Sequence, residues 1–406
     1  MSSTTSQQLA LGSQLINSLE ESATLGISKK VRQLKAAGKD VIGLTLGEPD
    51  FDTPAHIRAA AKQALDDGFT HYPPVTGLPE LRDAIVAKLK RENGLNYERQ
   101  NIMVSTGAKQ SLYNVVVAML NPGDEMIVPA PYWVSYAAMT HLAQATLVPV
   151  ITDIASGYKM TPEQLEAAIT PNTKLLLLNT PSNPTGSMYS KEELAELVTV
   201  LEKYPQVYII ADEIYEHLTY GLEHYSLGRF ESIFDRVITV NGFSKGYAMT
   251  GWRLGYIAAP IEVTARAEKL QGQITSGANA FAQKGAVMAL EGGLETTFAM
   301  RDAFRVRRDA LYQKLKAIDG LEVNLPDGAF YFYPDAKNFF GKSTPQGKRI
   351  DNIEDLCFHL IDNAGLAVVP GNAFGTKTHI RISYAYAQEI LDDAVARLAD
   401  GLGQLK

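Results

Sequence analysis

The chain alternates between short runs that are apolar almost throughout and longer stretches in which apolar residues recur every three or four positions. Seven short runs read as strands: NIMVSTG (101–107), DEMIVPA (124–130), ATLVPVI (145–151), TKLLLLN (173–179), VYIIADE (207–213), RVITVNG (236–242) and RLGYIAA (253–259). Several lack polar alternation, which predicts strands covered on both faces of a largely parallel sheet. Helical periods lie between many of them. LPELRDAIVAKLKREN (78–93) is one, and SKEELAELVTVLEKY (190–204) opens with Ser190 and carries Glu193 three on, a capping-box signature. This order predicts an α/β layer fold with right-handed crossovers.

Beyond about residue 295 the pattern changes. A long helical stretch, TTFAMRDAFRVRRDALYQKLKAI (296–318), leads into LEVNLP (321–326) and GAFYFYP (328–334), then LAVVPGNAF (366–374), HIRISYA (379–385) and a last helix. Hairpin-like strands with flanking helices predict a smaller α+β unit. The polar, glycine-bearing KNFFGKSTPQGKRIDN (337–352) reads as a surface excursion, and the strand-like VIGLTLGEPDF (41–51) as a distant segment that joins the small unit. The expected division is 1–55 as an N-terminal arm with part of the small domain, 56–305 as a large domain, and 306–406 as the small domain.

The chain has 406 residues and a formal net charge of -7, which excludes a large basic footprint for nucleic acid. No apolar run is long enough to span a bilayer, and the N-terminus lacks the basic and apolar regions of a signal peptide. The single cysteine, Cys357 in IEDLCFHLI, reads as a core residue in a reducing compartment, so a soluble cytoplasmic protein is expected. No metal site is expected.

In open α/β sheets ligands bind beyond the carboxyl ends of the strands. There stand Gly107, Ala108 and Lys109 after the first run, Asn183 after the fourth, Asp212 and Tyr215 after the fifth, and Lys245 after the sixth. Each has an ordinary reading too. Gly107 suits a plain strand–helix turn or an anion cradle at a helix N-terminus, and Arg253 a surface cation or a fork on the same anion. Asp212 suits a helix cap or a partner for a protonated ring nitrogen. Tyr215 suits packing or a phenolate contact, and Asn183 a turn. A lysine at a desolvated strand end sheds its charge and becomes a nucleophilic amine. Taken together, an anion cradle, an acid, a phenol and a nucleophilic lysine describe a site for pyridoxal 5′-phosphate.

At this point the sequence closely resembles the class I/II aminotransferases, the fold-type I pyridoxal-phosphate enzymes. The segment GFSKGYAMTGWRLG (242–255) is similar to their lysine signature. LGEPDFDTP, HYPPVTGLPELR, STGAKQ, PAPYWVSY, NTPSNPTG, ADEIYEHL and HIRISYA match in the family's order, from Ser22 to about Leu398. Within the family the resemblance runs to bacterial aspartate aminotransferases of the prokaryotic subgroup. It implies a large domain with a mostly parallel central sheet sandwiched by helices, plus a smaller α+β domain.

It also implies roles. Lys245 would bond the cofactor's aldehyde, Asp212 its ring nitrogen, and Tyr215 and Asn183 its ring oxygen; Trp133 would stack on the ring. Gly107, Ala108, Lys109 and Arg253 would surround the phosphate, with Ser244 nearby. Tyr72 would reach the neighbouring site of a homodimer. Arg381, assisted by Gly47, would clamp the substrate α-carboxylate, with Lys109 and Thr24 towards its distal end. Gly242 departs from relatives that place a serine there. The implied reaction is amino transfer from an L-amino acid, aspartate first, to a 2-oxo acid, 2-oxoglutarate first. Aromatic, alanine or prephenate transfer, or a β-lyase on the same scaffold, are the alternatives. A regulator with a DNA-binding head would need more chain before residue 46 than there is, and no G-x-G-x-x-G follows the first strand.

Overall fold

The computed structural model describes residues 12–19 and 23–406, except for the side chains of residues 23–25. Among these residues the strands, in chain order, are β1 (Ile42–Gly43), β2 (Ile102–Ser105), β3 (Glu125–Ala130), β4 (Thr146–Ile151), β5 (Thr173–Asn179), β6 (Tyr208–Asp212), β7 (Val237–Gly242), β8 (Gly255–Ala258), β9 (Tyr331–Phe332), β10 (Leu366–Ala367), β11 (Val369–Pro370) and β12 (Ile380–Ser383). All seven apolar runs read as strands become β2–β8. They form one sheet in the order β2-β8-β7-β6-β5-β3-β4. Only β8 runs against its neighbours, β2 and β7; the remaining pairings are parallel.

That topology places the chemistry. The carboxyl ends of β2, β5, β6 and β7 share one edge, and because β8 is reversed, the residues that lead into it arrive there too. Register aligns Asn179 with Asp212 and Gly242 with Gly255. The continuous apolar character of the strands follows from cover on both faces. Leu175 and Leu177 of β5 pack with Met126, Val128 and Val115; Leu176 and Leu178 point the other way, to Ile127, Leu194 and Leu197. The capping box at Ser190 forms as read: Ser190 Oγ accepts from Glu193 N at 3.2 Å, and Glu193 Oε2 accepts from Ser190 N at 2.8 Å. The helical period from 78 resolves into the helix Pro79–Lys88 and a π turn, Leu89–Asn93, ended by Gly94 at a left-handed φ of 67°.

The segment 41–51 does join the C-terminal part: β1 pairs in parallel with β10, beside the antiparallel set β11-β12-β9. LEVNLP departs from expectation, forming only a bridge from Glu322 to Asp335. The run ends in Pro326, which has no N–H to continue a ladder. The helix Glu295–Lys316 runs unbroken through position 305, burying Met300, Phe304, Leu311 and Leu315 along one stripe. Cys357 is buried and unpaired, as a core residue should be. Among the described residues no helix is long and apolar enough to cross a membrane.

Leu177 is 1% exposed in the middle of β5. We expect Leu177→Ala to lower unfolding stability by about 2–5 kcal/mol, read from the denaturant midpoint at unchanged slope. A midpoint equal to the parent's would contradict the packing described.

Candidate active site

One cavity of about 360 Å³ opens at the carboxyl edge of the sheet. It brings together Gly47, Ala108, Lys109, Trp133, Asn183, Asp212, Tyr215, Ser244, Lys245, Arg253 and Arg381, residues spread over more than three hundred positions of sequence. Gly107 sits just behind its wall. Tyr72 stands apart, 95% exposed and outside the lining. The Thr24 side chain lies outside the described residues.

Lys245 follows β7 in a tight turn and donates from Nζ to the carbonyl of Gly47. Its amine lies 5.7 Å from the ring centre of Tyr215 and 5.8 Å from that of Phe330. Burial pushes its pKa down to about 8, with the Arg381 and Arg253 cations acting in the same sense and Glu48 against them. Asp212 closes β6. One oxygen accepts from Tyr136 Oη at 2.6 Å, and the other from the Ile214 N–H at 3.3 Å. Burial nevertheless raises its pKa to about 6. The two groups are thus an amine and a carboxylate that both meet the cavity with their charge disfavoured.

A second region faces anions. The helix Ala108–Met119 begins at Gly107 with no side-chain cap, so its first N–H groups and dipole end meet the cavity. Gly107 holds a left-handed φ of 86°, and a Cβ there would lie 2.5 Å from Arg253 Nη2. Arg253 is itself left-handed, at φ 55°, which turns its guanidinium back over that helix start. Lys109 is exposed, with Nζ 4.9 Å from the Trp133 ring, and partial desolvation and then Arg253 lower its pKa.

Arg381, from β12, also lines the cavity. It donates to Asn183 Oδ1 at 3.1 Å and to the Thr45 carbonyl at 2.7 Å, while Nε has no partner among the described residues. Its guanidinium lies 4.6 Å over the Tyr331 ring, and Tyr331 Oη is 2.9 Å from Tyr215 Oη. Tyr331, Tyr136 and Asn179 were not singled out in the sequence. Tyr136 carries a usable signal, three residues after Trp133 and so towards the same side of a helical turn. Tyr331 carries none, since GAFYFYP reads as core. The departure at Gly242 has a steric reason: a Cβ there would lie 2.9 Å from Gly255 Cα and from the Leu254 carbonyl, so no serine fits.

The raised Asp212 pKa sets a sign. The folded chain holds that proton more tightly than the unfolded chain, so stability falls as pH rises from the ordinary 3.8 through about 6 and stays lower above. The full effect is at most about 3 kcal/mol at 1.36 kcal/mol per unit. We expect ligand-free Asp212→Asn to be more stable than the parent at about pH 7.5 and equal to it near about pH 4, by denaturant unfolding. A variant less stable at the higher pH would contradict a carboxyl group whose charge is disfavoured by burial.

Residues 39–398 match the profile of the family described as aminotransferase class I and II. An aspartate/prephenate aminotransferase of Cereibacter sphaeroides is 48% identical over 392 residues, covering 96% of this chain and 98% of that one. An aspartate aminotransferase of Rhizobium meliloti is 44% identical over 392 residues, 96% of each chain. Among solved structures, an aspartate aminotransferase from Rhizobium meliloti superposes with a TM-score of 0.95 at 43% identity, over 98% of this chain and 100% of that one. The Thermus thermophilus aspartate aminotransferase with maleate gives 0.90 at 40% identity, over 97% and 100%. The edge of a mostly parallel sheet, the lysine it carries and the matched span lead to one conclusion: the chain belongs to the class I and II aminotransferases and is a transaminase of that fold.

Proposed function

We propose that the cavity holds pyridoxal 5′-phosphate and moves an amino group from aspartate to 2-oxoglutarate. The observation that carries this is the convergence of Lys245, Asp212 and Arg381 on one cavity. The donor set suits the cofactor. Asp212 is buried with no cation hydrogen-bonded to it among the described residues, and a protonated ring nitrogen would supply the missing counter-charge. The uncapped helix start at Ala108 and Lys109, with Arg253 beside it, suits a phosphate. Bound there, the cofactor contributes an aldehyde that joins amines and a ring that accepts an electron pair.

The chain's own residues do the rest. Lys245, neutral once desolvated, would take the proton from the substrate α-carbon and give it back at the former aldehyde carbon, two atoms away on the other side of the amino nitrogen. Asp212 keeps the ring nitrogen protonated, and Tyr136 keeps Asp212 in place. Tyr215 and Asn183 face the ring oxygen, and Trp133 covers one face of the ring. Ser244 lines the wall beside Lys245. Arg381 grips the α-carboxylate through its free donors, with the Gly47 N–H assisting. The donor loses its amino group and leaves as a 2-oxo acid; the acceptor oxo acid regains the same group.

Aspartate is favoured because the Lys109 side chain lines the same cavity as Arg381, so that a substrate with two carboxylates meets a cation for each, Arg253 being left to the phosphate. That a Thermus thermophilus relative was solved with maleate, a dicarboxylate, supports this. Thr24 belongs to the same end on this reading. The Cereibacter sphaeroides relative's name favours prephenate as a second acceptor. We further place residues 56–305 as the cofactor-binding unit, and 1–55 with 306–406 as the unit that brings Gly47 and Arg381. The exposed Tyr72 suits insertion into the site of a second copy, giving a homodimer, and the cytoplasm suits the lone reduced thiol.

Lys245→Ala should lower kcat by about 10²–10⁴-fold or more, and borohydride should fix a pyridoxyl group on position 245 of the parent alone. Arg381→Lys should raise KM for aspartate about 10–100-fold, the value of a charged hydrogen bond. Parental rates in Lys245→Ala, or a colourless parent protein after incubation with pyridoxal phosphate, would overturn the reading.

A further inference from the structure

Asp212 and Tyr215 reach the cavity from one side of the segment 212–217. Glu213, Glu216 and His217 leave it on the other, into a buried polar cluster that the chemistry above does not use. The Glu216 carboxylate is its centre. Oε1 accepts from Lys88 Nζ and from Asn241 Nδ2 at 2.7 Å, and Oε2 accepts from Asn93 Nδ2 at 2.7 Å. Burial opposes its charge, yet Lys88 foremost, with His217 and His224, holds its pKa well below the ordinary range. Lys88 is 1% exposed and also donates to Asn93 Oδ1 at 2.7 Å. Glu213 accepts from Ser226 Oγ at 2.8 Å and from the Leu227 N–H at 3.2 Å. His217 lies against Gly246, the neighbour of Lys245: a Cβ there would stand 2.7 Å from His217 Nδ1.

The backbone is bent to build this cluster. Lys88 and Asn93 are five positions apart, and on a regular α-helix they would point about 140° away from each other. The π turn Leu89–Asn93 brings them to one side. Asn241 ties the cluster to β7, since its Oδ1 also accepts from the Gly242 N–H at 2.7 Å, three residues before Lys245. A buried ion pair is a poor device for stability, because a packed apolar set of the same volume does as well or better. Its place, at the back of the turn that carries two cavity residues, indicates a different use.

We propose that Glu216, fixed by Lys88, Asn93 and Asn241, is a positioning residue: it locks the 212–217 turn to β7, so that the Asp212 carboxylate and the Tyr215 phenol keep their places around Lys245. This rests on reading the cavity as a pyridoxal-phosphate transaminase site.

The test is the double variant Lys88→Met/Glu216→Met, which removes both charges of the pair and leaves Glu92 with His217 and Glu213 with His224. Its denaturant midpoint should fall modestly, since Asn241 Nδ2 and Asn93 Oδ1 lose their partners, while the protein stays folded. Its kcat should fall at least about tenfold, since small displacements of catalytic groups are costly, while KM for aspartate stays within about threefold. Pyridoxal phosphate titrated into the cofactor-free variant, followed by absorbance, should bind about tenfold more weakly. Parental kcat and parental cofactor affinity in a folded double variant overturn the proposal. If that variant does not fold, Glu216→Gln is judged on the same two quantities with the same consequences. A parent protein that neither binds the cofactor nor transaminates defeats the reading of the cavity instead, before any substitution is made.

Discussion

The desolvation of one lysine amine organises this molecule. Lys245 has its amine inside the cavity, with Phe330 and Tyr215 around it and the carbonyl of Gly47 accepting its hydrogen bond. Among the described residues no carboxylate pairs with it, so burial and two nearby guanidinium groups push it towards the neutral form. Asp212 is the complement, a carboxylate buried without a bonded cation and pushed towards its own neutral form. Such a pair is poorly satisfied alone. It becomes well satisfied when a group arrives that bonds the amine and gives the carboxylate a positive partner, and this is the sense in which the fold is built around a ligand.

The sheet makes that arrangement possible. Parallel strands bring Asn179 and Asp212 into register at one edge, the turn after β7 carries Lys245 there, and the reversed β8 returns Arg253 to the same place. Close approach then decides residue choice at two points. Gly242 and Gly255 face each other across β7 and β8 with no room for a side chain, and Gly107 leaves space for Arg253. The guanidinium of Arg381 enters the same cavity from a separate sheet. Behind the turn that carries Asp212, a buried ionic cluster holds the chain where apolar packing alone would leave orientation free.

Much of this was legible in the sequence because burial on both faces leaves an unmistakable trace. TKLLLLN has no wet face, and β5 has its two leucine rows in two separate clusters. Residues just past such runs are the ones that meet a ligand, so Lys245, Asp212, Asn183 and Lys109 could be found from order alone. What was hidden depends on tertiary context. Tyr331 sits in an apolar run and became a cavity residue only when β9 met β12. LEVNLP alternated like a strand but ended at a proline. Lys88 and Glu216 were not singled out in the sequence, and no local pattern announces the π turn at 89–93 beside which they pair inside the protein.

The central claim can be measured on the one group it concerns. Lysines of the cofactor-free protein are dimethylated with ¹³C-formaldehyde, and the Lys245 signal, assigned by its loss in Lys245→Arg, is followed by NMR across pH. The account predicts a midpoint near 8 for that amine, against the ordinary 10.5 for a solvated lysine. A midpoint at or above the ordinary value would mean that the amine keeps its charge in the cavity, and the account would fail with it.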